Sequence, residues 1–342
     1  MTRCLPRLGV LSAVLSLALS VSAASPPREA QRPHYGNRPD VNTFIREMAD
    51  KHGFVERELK TLFRRTTRQP EILKAIRPPV SPRTRSWQSY RTNFINARHI
   101  AEGLRFFELH GEALARAERD YGVPQEIIVA IIGVETFYGK NMGKWRVVDA
   151  LATLAFDYPP RAEFFRSELE AYLLFAREAE LDVLGVRGSY AGAIGIPQFM
   201  PGSYRRWAVD FDGDGVARLR SSPSDAIGSV ANFLKSHGWV PGEPVGWAAD
   251  IGGADPATLL AAGLKPSREL AEFATAGIAM SAEQTPKPGA LAALIELETP
   301  ARASEYRVVL DNFYVITRYN RSSFYAAAVN DLAEALRSAR PR

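Results

Sequence analysis

Residues 124–139 read PQEIIVAIIGVETFYG and give the strongest indication of the fold. Apolar side chains would lie on every side of a helix through residues 124–134, and proline stands at its predicted first position, where the missing N–H breaks no helical hydrogen bond. A helix without a polar face has to be surrounded by other elements. We therefore expect this segment to form the central, buried helix of the molecule.

Glu135 follows this run and is the candidate catalytic residue. Within residues 124–134 only Glu126 carries a formal charge, so the carboxyl group of Glu135 is expected in poorly solvated surroundings. Desolvation disfavours the carboxylate, which raises its pKa and keeps the group protonated near neutral pH, as a general acid requires. The alternative is a structural ion pair with Lys140 or Lys144, and this segment alone leaves both interpretations open.

Length and composition set only wide limits. The chain of 342 residues is 46% hydrophobic, which is enough for a sizeable core in one large domain or in two to three small ones. Its formal net charge of +5 is too weak to indicate a nucleic-acid partner. The five histidines show no spacing typical of a zinc site, and no phosphate-binding or dinucleotide-binding motif is present.

The N-terminal residues 1–24 predict a cleaved signal peptide. Basic residues precede an apolar run that is too short to span a bilayer, and small residues follow it. The only cysteine, Cys4, would be removed with this peptide, so the mature chain would hold no disulfide, no cysteine nucleophile and no lipid-bearing cysteine. Residues 25–39 are rich in proline and polar groups and predict a flexible mature N-terminus.

Hydrophobic periodicity predicts a mainly α protein with one strand-containing part. In the first part we expect Asp40 to cap the first helix and one long helix to run from about Tyr90 to Arg119. The four predicted parts are a helical domain (40–119), a core with the central helix (120–240), a small β-containing module (241–312) and a C-terminal helix that returns to the helical domain and core (313–342).

The segment GAIGIPQFMP, residues 192–201, is the first candidate binding loop. Its glycines permit close approach of the backbone to a partner, and Gln198 offers both a hydrogen-bond donor and an acceptor. A sugar amide or hydroxyl would suit such a group. The alternative is a tight packing loop, and the spacing does not distinguish the two.

The segment DFDGDGV, residues 210–216, resembles the start of a calcium-binding loop. Carboxylates fall at loop positions 1, 3 and 5, a turn glycine at position 6 and the carbonyl of Val216 at position 7. Position 12 is Ser221 rather than glutamate, and the next carboxylate is Asp225, so the loop has to be longer than usual to close on an ion. The alternative is a solvated Asp/Gly turn.

The segment TRYNRSSFY, residues 317–325, places aromatic rings, an amide and hydroxyls where a strand region gives way to a helix. Aromatic faces stack on sugar rings, while Asn and Ser side chains bind hydroxyls. Core packing of Tyr319 and Tyr325 is the alternative.

Four blocks of the chain resemble, in order and spacing, the membrane-bound lytic murein transglycosylase B family: residues 134–139, 148–158, 192–201 and 225–232. The similarity runs from Val41 to Leu332, which is nearly the whole mature chain. It implies a mainly α (α+β) fold in which a lysozyme-like catalytic core with a cleft is flanked by the helical domain and the small β-containing domain.

The resemblance also implies roles for individual residues. Glu135 takes the place of the single catalytic acid/base. The residues that match the family's substrate-binding positions are Ser189, Gln198, Tyr319, Asn320 and Tyr325. The residues that match its calcium loop, with Ca²⁺ in a structural role, are Asp210, Asp212, Asp214, Val216 and Asp225.

The implied activity is cleavage of the β-1,4 bond between MurNAc and GlcNAc in peptidoglycan glycan strands, with formation of 1,6-anhydroMurNAc by a monomeric enzyme. One alternative is a hydrolytic muramidase of the same fold, in which water takes part in the second step. Another is a non-catalytic wall-binding protein in which Glu135 is structural. Analysis of the released products would separate the first two.

Three features depart from the family pattern. Phe233 follows Asn232, where a cleft tyrosine is expected, so one hydroxyl contact is missing. One extra residue precedes Asp225 and alters how the acidic loop closes. The lipidation cysteine is absent, which favours a soluble periplasmic protein over one anchored to the outer membrane.

Overall fold

The computed structural model describes residues 34–77, 86–281 and 286–340. The helices in these ranges are α1 (Pro39–His52), α2 (Glu56–Arg65), α3 (Pro70–Ala75), α4 (Trp87–Thr92), α5 (Ala97–Tyr121), α6 (Gln125–Thr136), α7 (Val147–Asp157), α8 (Ala162–Glu178), α9 (Pro201–Trp207), α10 (Pro223–Ser236), α11 (Ala257–Ala261), α12 (Leu270–Thr275), α13 (Asp311–Tyr319) and α14 (Ser323–Ala339). The strands are β1 (Trp145–Arg146), β2 (Arg187–Gly188), β3 (Gly246–Asp250), β4 (Arg268–Glu269), β5 (Ala279–Met280), β6 (Leu291–Leu297) and β7 (Glu305–Val309).

Helix α6 is the centre of the main core, as its all-round apolar sequence predicts. The side chains from Ile127 to Gly133 are all buried, and α5, α10 and α14 pack around them. Helix α14, which packs on α6, carries three consecutive buried alanines, residues 326–328. Pro124 is the N-cap residue of α6 rather than its first helical residue.

Two other helix boundaries differ from the prediction. The N-cap of α1 is Arg38, and Asp40 instead lies in the first turn, where its carboxylate accepts from the amide of Val41 and pairs with Arg38. The single helix predicted between Tyr90 and Arg119 is two helices, because the Asn96 side chain accepts the amide N–H of His99 and starts α5 anew. Helix periodicity reports the faces that pack and does not reveal such capping bonds.

Residues 34–39 lie in the segment predicted to be flexible, but in the structure they contact the rest of the fold. Residues 1–33, with the predicted signal peptide (1–24), lie outside the described residues. Tyr35 is fully buried and its hydroxyl donates to Asp157 at 2.6 Å, while the guanidinium of Arg38 donates to the same carboxylate at 2.6 Å. The prediction of flexibility through residue 39 is therefore wrong for residues 34–39, which a distant aspartate holds in place.

The β-containing part forms an antiparallel sheet whose order, in the described residues, is β4-β6-β7-β3-β5. Strand β6 is buried on both faces: Ala292 and Leu294 pack into a second core around Trp247 and Phe273, whereas Ala293 and Ile295 pack into the main core. This double burial explains why apolar and polar residues do not alternate strictly along β6, whose sequence is LAALIEL. The sheet therefore lies between two cores.

The C-terminal part is two helices rather than one. Helix α13 ends at Tyr319, and the Ser322 side chain caps α14 by accepting the amide N–H of Tyr325. The break at residues 320–322 lies within the segment TRYNRSSFY, residues 317–325, and separates α13 from α14. Among residues 34–77, 86–281 and 286–340, no helix has the length and apolar composition needed to cross a bilayer.

Candidate active site

Glu135 lies in the last turn of α6 and is only partly exposed. Burial of the carboxyl group raises its pKa from 4.5 to about 7, and a hydrogen bond from the hydroxyl of Tyr325, 2.6 Å from Oε1, lowers it again in part. The predicted alternative of an ion pair with lysine is wrong for Lys140, which pairs with Glu102 at 2.5 Å instead. Among the described residues Glu135 forms no salt bridge.

The backbone immediately after Glu135 turns sharply. Phe137 and Tyr138 both have positive φ, 51° and 60°, a conformation that non-glycine residues rarely adopt. Thr136 holds this turn, because its hydroxyl donates to the carbonyl of Ile196 at 2.7 Å and accepts the amide N–H of Gly139 at 2.9 Å. The end of α6 is thereby fixed to the loop of residues 192–201.

Two tyrosines from the C-terminal helices flank Glu135. The ring of Tyr325, the third residue of α14, stacks on that of Tyr319 with 6.4 Å between centroids. Burial and the nearby Glu135 carboxylate raise the pKa of both phenols well above 10. Both hydroxyls therefore stay protonated and donate, Tyr325 to Glu135 and Tyr319 to the carbonyl of Pro197 at 2.6 Å.

Tyr90 is a site residue that sequence reasoning missed. It lies on α4 against Trp87, Phe94 and Phe324, and burial together with the charge of Glu135 raises its pKa to about 12. The sequence carries no local signal for this placement. The sequence predicts one continuous helix from Tyr90, and this prediction misses the break between α4 and α5.

The predicted binding loop supplies Gln198, and Ser189 lies just before this loop in the chain. Gln198 has a φ of +51°, and its side-chain amide donates to the carbonyls of Gly195, at 2.8 Å, and Met142, at 3.3 Å. The hydroxyl of Ser189 accepts the amide N–H of Ala193 at 3.0 Å. Both side chains are thus oriented by backbone groups before any ligand arrives.

The remaining predicted cleft positions differ in their surroundings. Asn320 is exposed at the end of α13, and its side chain makes no hydrogen bond to any of the described residues. Phe233 is buried. The centroid of its ring lies 4.8 Å from that of the Tyr319 ring and 4.0 Å from that of the His237 ring. A hydroxyl at residue 233 would thus lie close to the tyrosine pair, and this chain lacks it.

The acidic loop brings three of its predicted ligands together. Oxygen atoms of Asp210, Asp212 and Asp214 lie within 4.8 Å of one another, and all three residues are exposed. Glycines with positive φ at residues 213 and 215 give the turn that this clustering requires. Three clustered carboxylates are the hard oxygen donors that Ca²⁺ prefers, so the residues present fit such an ion.

Asp225 lies on the inner side of the same loop and is fully buried. Its Oδ1 accepts the amide N–H groups of Phe211, at 2.8 Å, and Asp212, at 3.1 Å, while Oδ2 accepts that of Arg218 at 2.6 Å. The structure does not group this carboxylate with the other three. Its observed role is to hold the loop backbone, and its role as a calcium ligand stays a prediction.

Comparison with known proteins now identifies the family. The family profile described as "Transglycosylase SLT domain" matches residues 36–334. Membrane-bound lytic murein transglycosylase B of Escherichia coli (strain K12) is 43% identical over 315 residues, which cover 90% of this chain and 85% of that protein. The chain belongs to the lytic murein transglycosylase B family. The predicted enzyme class and the resemblance on which it rested are confirmed.

Solved structures confirm the mainly α, lysozyme-like fold. The catenated lytic transglycosylase SltB1 from Pseudomonas aeruginosa has a TM-score of 0.82 and 48% identity and covers 90% of this chain and 100% of that one. The E. coli lytic transglycosylase Slt35, solved in complex with calcium, has a TM-score of 0.78 and 42% identity, with 89% and 94% covered. SltB3 from P. aeruginosa, solved with NAG-anhNAM-pentapeptide, has a TM-score of 0.75 and 31% identity, with 88% and 81% covered.

Proposed function

We propose that this lytic transglycosylase cleaves the β-1,4 bond between MurNAc and GlcNAc in peptidoglycan and leaves a 1,6-anhydroMurNAc end. The observation that carries the proposal is a single desolvated carboxyl, Glu135, whose pKa of about 7 is raised by burial and not by a second carboxylate. Most glycosidases use two carboxylates, one for each half of the reaction. A single group that acts first as acid and then as base fits an intramolecular second step.

In the first step the protonated carboxyl of Glu135 gives its proton to the glycosidic oxygen. The bond between C1 of MurNAc and this oxygen breaks, and GlcNAc leaves with a free hydroxyl. The neighbouring acetamido group of MurNAc supports the positive charge that develops at C1. A pKa of about 7 leaves a large fraction of Glu135 protonated at neutral pH, which this step requires.

In the second step the carboxylate of Glu135 removes the proton from the C6 hydroxyl of the same MurNAc. O6 attacks C1, the 1,6-anhydro ring closes, and no water is consumed. The Tyr325 hydroxyl, 2.6 Å from Oε1, stabilises the carboxylate between the two steps. Attack within one molecule has an entropic advantage over capture by water when the site orients O6.

Mass spectrometry of muropeptides released from purified sacculi tests this proposal. We expect fragments that end in 1,6-anhydroMurNAc, one water lighter than hydrolysis products. Glu135→Gln should keep the fold but release less than about a tenth of the wild-type product, because the amide cannot cycle a proton. A digest dominated by reducing MurNAc ends would indicate a hydrolytic muramidase, and wall binding without turnover would indicate a non-catalytic protein.

The substrate-binding roles of Ser189, Gln198, Tyr319 and Asn320 are part of the proposal. The carbonyl acceptors that hold Gln198 and Tyr319 fix both side chains in place, which suits recognition of N-acetyl sugars. The relative SltB3 was solved with a NAG-anhNAM-pentapeptide, so glycan fragments are ligands in this family. Raised KM values in single alanine variants at these positions, with fold retained, would support these roles.

We also propose that Ca²⁺ binds the acidic loop in a structural role. Its ligands would be Asp210, Asp212, Asp214 and the carbonyl of Val216, with Asp225 as a further predicted ligand. A relative, Slt35, was solved with calcium. Saturating calcium at a hundred times Kd would stabilise the fold by about 2.7 kcal/mol. We expect a raised melting temperature that the double variant Asp210→Ala, Asp214→Ala abolishes. A wild type with neither a melting shift nor heat of binding would contradict this.

The site of action that we propose is the periplasm, reached through a cleaved signal peptide and without a lipid anchor. The support is the sequence of residues 1–24 and the position of Cys4 before the apolar run. Mass spectrometry of the exported protein should give an N-terminus near Ser25, and light scattering should give the mass of a monomer. A lipid-modified N-terminus would contradict the proposal.

A further inference from the structure

Arg218 brings a positive charge into the acidic loop. It lies four residues after Asp214, and its guanidinium pairs with Oδ2 of that carboxylate. Oδ1 of the same carboxylate accepts the amide N–H of Val216 at 3.1 Å. Both oxygens of one expected calcium ligand are therefore already bound within the chain.

The backbone of Arg218 is held by a separate hydrogen bond. Its amide N–H donates to the buried carboxylate of Asp225 at 2.6 Å, which ties this residue to the inner side of the loop. The side chains of Arg218 and Asp214 are both about half exposed, at 48% and 45%. The guanidinium can therefore move into solvent without unfolding the loop, while the hydrogen-bonded backbone of Arg218 keeps it near Asp214.

We propose that Arg218 is an internal counter-cation that competes with Ca²⁺ for Asp214 and so sets the calcium affinity of the loop. The inference rests on the calcium site proposed above. A divalent ion among the three carboxylates has to displace the guanidinium from Asp214, and the tethered charge then repels the bound ion at short range. When calcium is absent, the same guanidinium offsets part of the repulsion among the three carboxylates.

The competing cation is specific to one position. Arg220, two residues further on, is also exposed, but it forms no salt bridge within the described residues. Substitution of Arg220 removes the same formal charge from the same segment without touching Asp214. The pair Arg218→Gln and Arg220→Gln thus separates direct competition from a general change in net charge.

Isothermal titration of the full mature chain with CaCl2 at low ionic strength tests the inference, with melting in EDTA as the check of fold. We expect Arg218→Gln to bind calcium about three- to tenfold more tightly than wild type, from the loss of an exposed ion pair and of short-range repulsion. Arg220→Gln should change the affinity less than about twofold. Arg218→Lys keeps the charge and should stay close to wild type.

The outcomes are distinguishable. Equal affinities for wild type and Arg218→Gln, or the same gain in Arg220→Gln, would overturn the role of Arg218 and leave the calcium site intact. An absence of calcium binding in all variants would overturn the calcium site and this inference together. If Arg218→Gln melts far below wild type in EDTA, Arg218→Ala, which also removes the charge, decides: tighter calcium binding than wild type supports competition, and equal or weaker binding contradicts it.

Discussion

At the scale of single residues, the chemistry depends on how the protein solvates one carboxyl group. Glu135 has lost much of its contact with water, which favours the neutral acid, and it has gained one hydrogen bond from Tyr325, which favours the carboxylate. The first effect is larger, and the pKa of about 7 is the balance of the two. Such a balance suits a group that has to serve as acid and then as base within one turnover.

The hydrogen bond from Tyr325 can be removed by Tyr325→Phe. Because the proposed reaction starts from protonated Glu135, we expect kcat/KM of the wild type to fall as pH rises through about 7. Loss of the phenolic donor raises the pKa of Glu135, so this alkaline limb should move upward by about half to one pH unit. The maximal rate should fall roughly tenfold, since the intermediate carboxylate loses a charge-assisted hydrogen bond.

The matched control is Tyr319→Phe, which removes the neighbouring phenol. Its hydroxyl donates to the carbonyl of Pro197 and not to Glu135, so its alkaline limb should stay where the wild-type limb lies. The readout is the pH profile of muropeptide release. Equal shifts in the two variants, or no shift in Tyr325→Phe, would show that this hydrogen bond does not set the pKa.

Among the elements, side chains of three helices hold two loops by hydrogen bonds. Thr136 binds the end of α6 to the loop of residues 192–201, and Tyr319 binds α13 to the same loop through Pro197. The acidic loop is held from within by Asp225 at the first turn of α10. The loop of residues 192–201 is thereby positioned by α6 and α13, and the acidic loop by α10.

Asp225→Ala tests this anchoring of the acidic loop. The substitution leaves three backbone N–H groups without their acceptor, one of them in the buried residue Phe211. We expect the free energy of unfolding, measured by urea denaturation in EDTA, to fall by about 3 kcal/mol. Asp212→Ala removes an exposed carboxylate of the same loop and should cost less than about 1 kcal/mol. Similar losses in the two variants would contradict the anchoring role.

At the scale of the whole molecule, a buried aspartate joins three parts of the fold. Asp331 of α14 accepts from Arg91 of α4, at 2.6 Å, and from Arg307 of β7, at 2.5 Å. Helix α14 also carries Tyr325 and packs along α6. The same contact thus ties the β-containing module and α4, with its Tyr90, to the helix whose Tyr325 binds the Glu135 carboxyl.

Asp331→Ala should therefore affect both stability and turnover. Loss of the shared acceptor leaves the little-exposed guanidinium of Arg307 with only its longer ion pair to Glu305, at 3.8 Å, and we expect about 2–4 kcal/mol lower unfolding free energy. Turnover should fall several-fold at a temperature where the variant is folded, because α14 is less firmly held. Glu334→Ala, an exposed change on the same helix, should alter neither by much. Unchanged turnover in a destabilised Asp331→Ala would limit Asp331 to a structural role.

The central helix, the candidate acid and the candidate binding segments can be predicted from the sequence alone. These follow from local pattern: a run apolar on every side has to be buried, and a carboxyl at its end has to lose solvent. The acidic loop was recognisable for the same reason, since its carboxylates and glycines are adjacent in the chain. The resemblance to the family then placed residues that no local pattern assigns.

The surroundings of these residues can be seen only in the folded chain. The partner of Glu135 lies 190 positions away in Tyr325, the anchor of residues 34–38 is Asp157, and Tyr90 reaches the site from a helix that the periodicity did not separate. Asp225 likewise faces the backbone of its own loop rather than the three clustered carboxylates. Helical periodicity reports neighbours within a few residues, whereas desolvation and hydrogen bonding depend on groups that only the folded chain brings together.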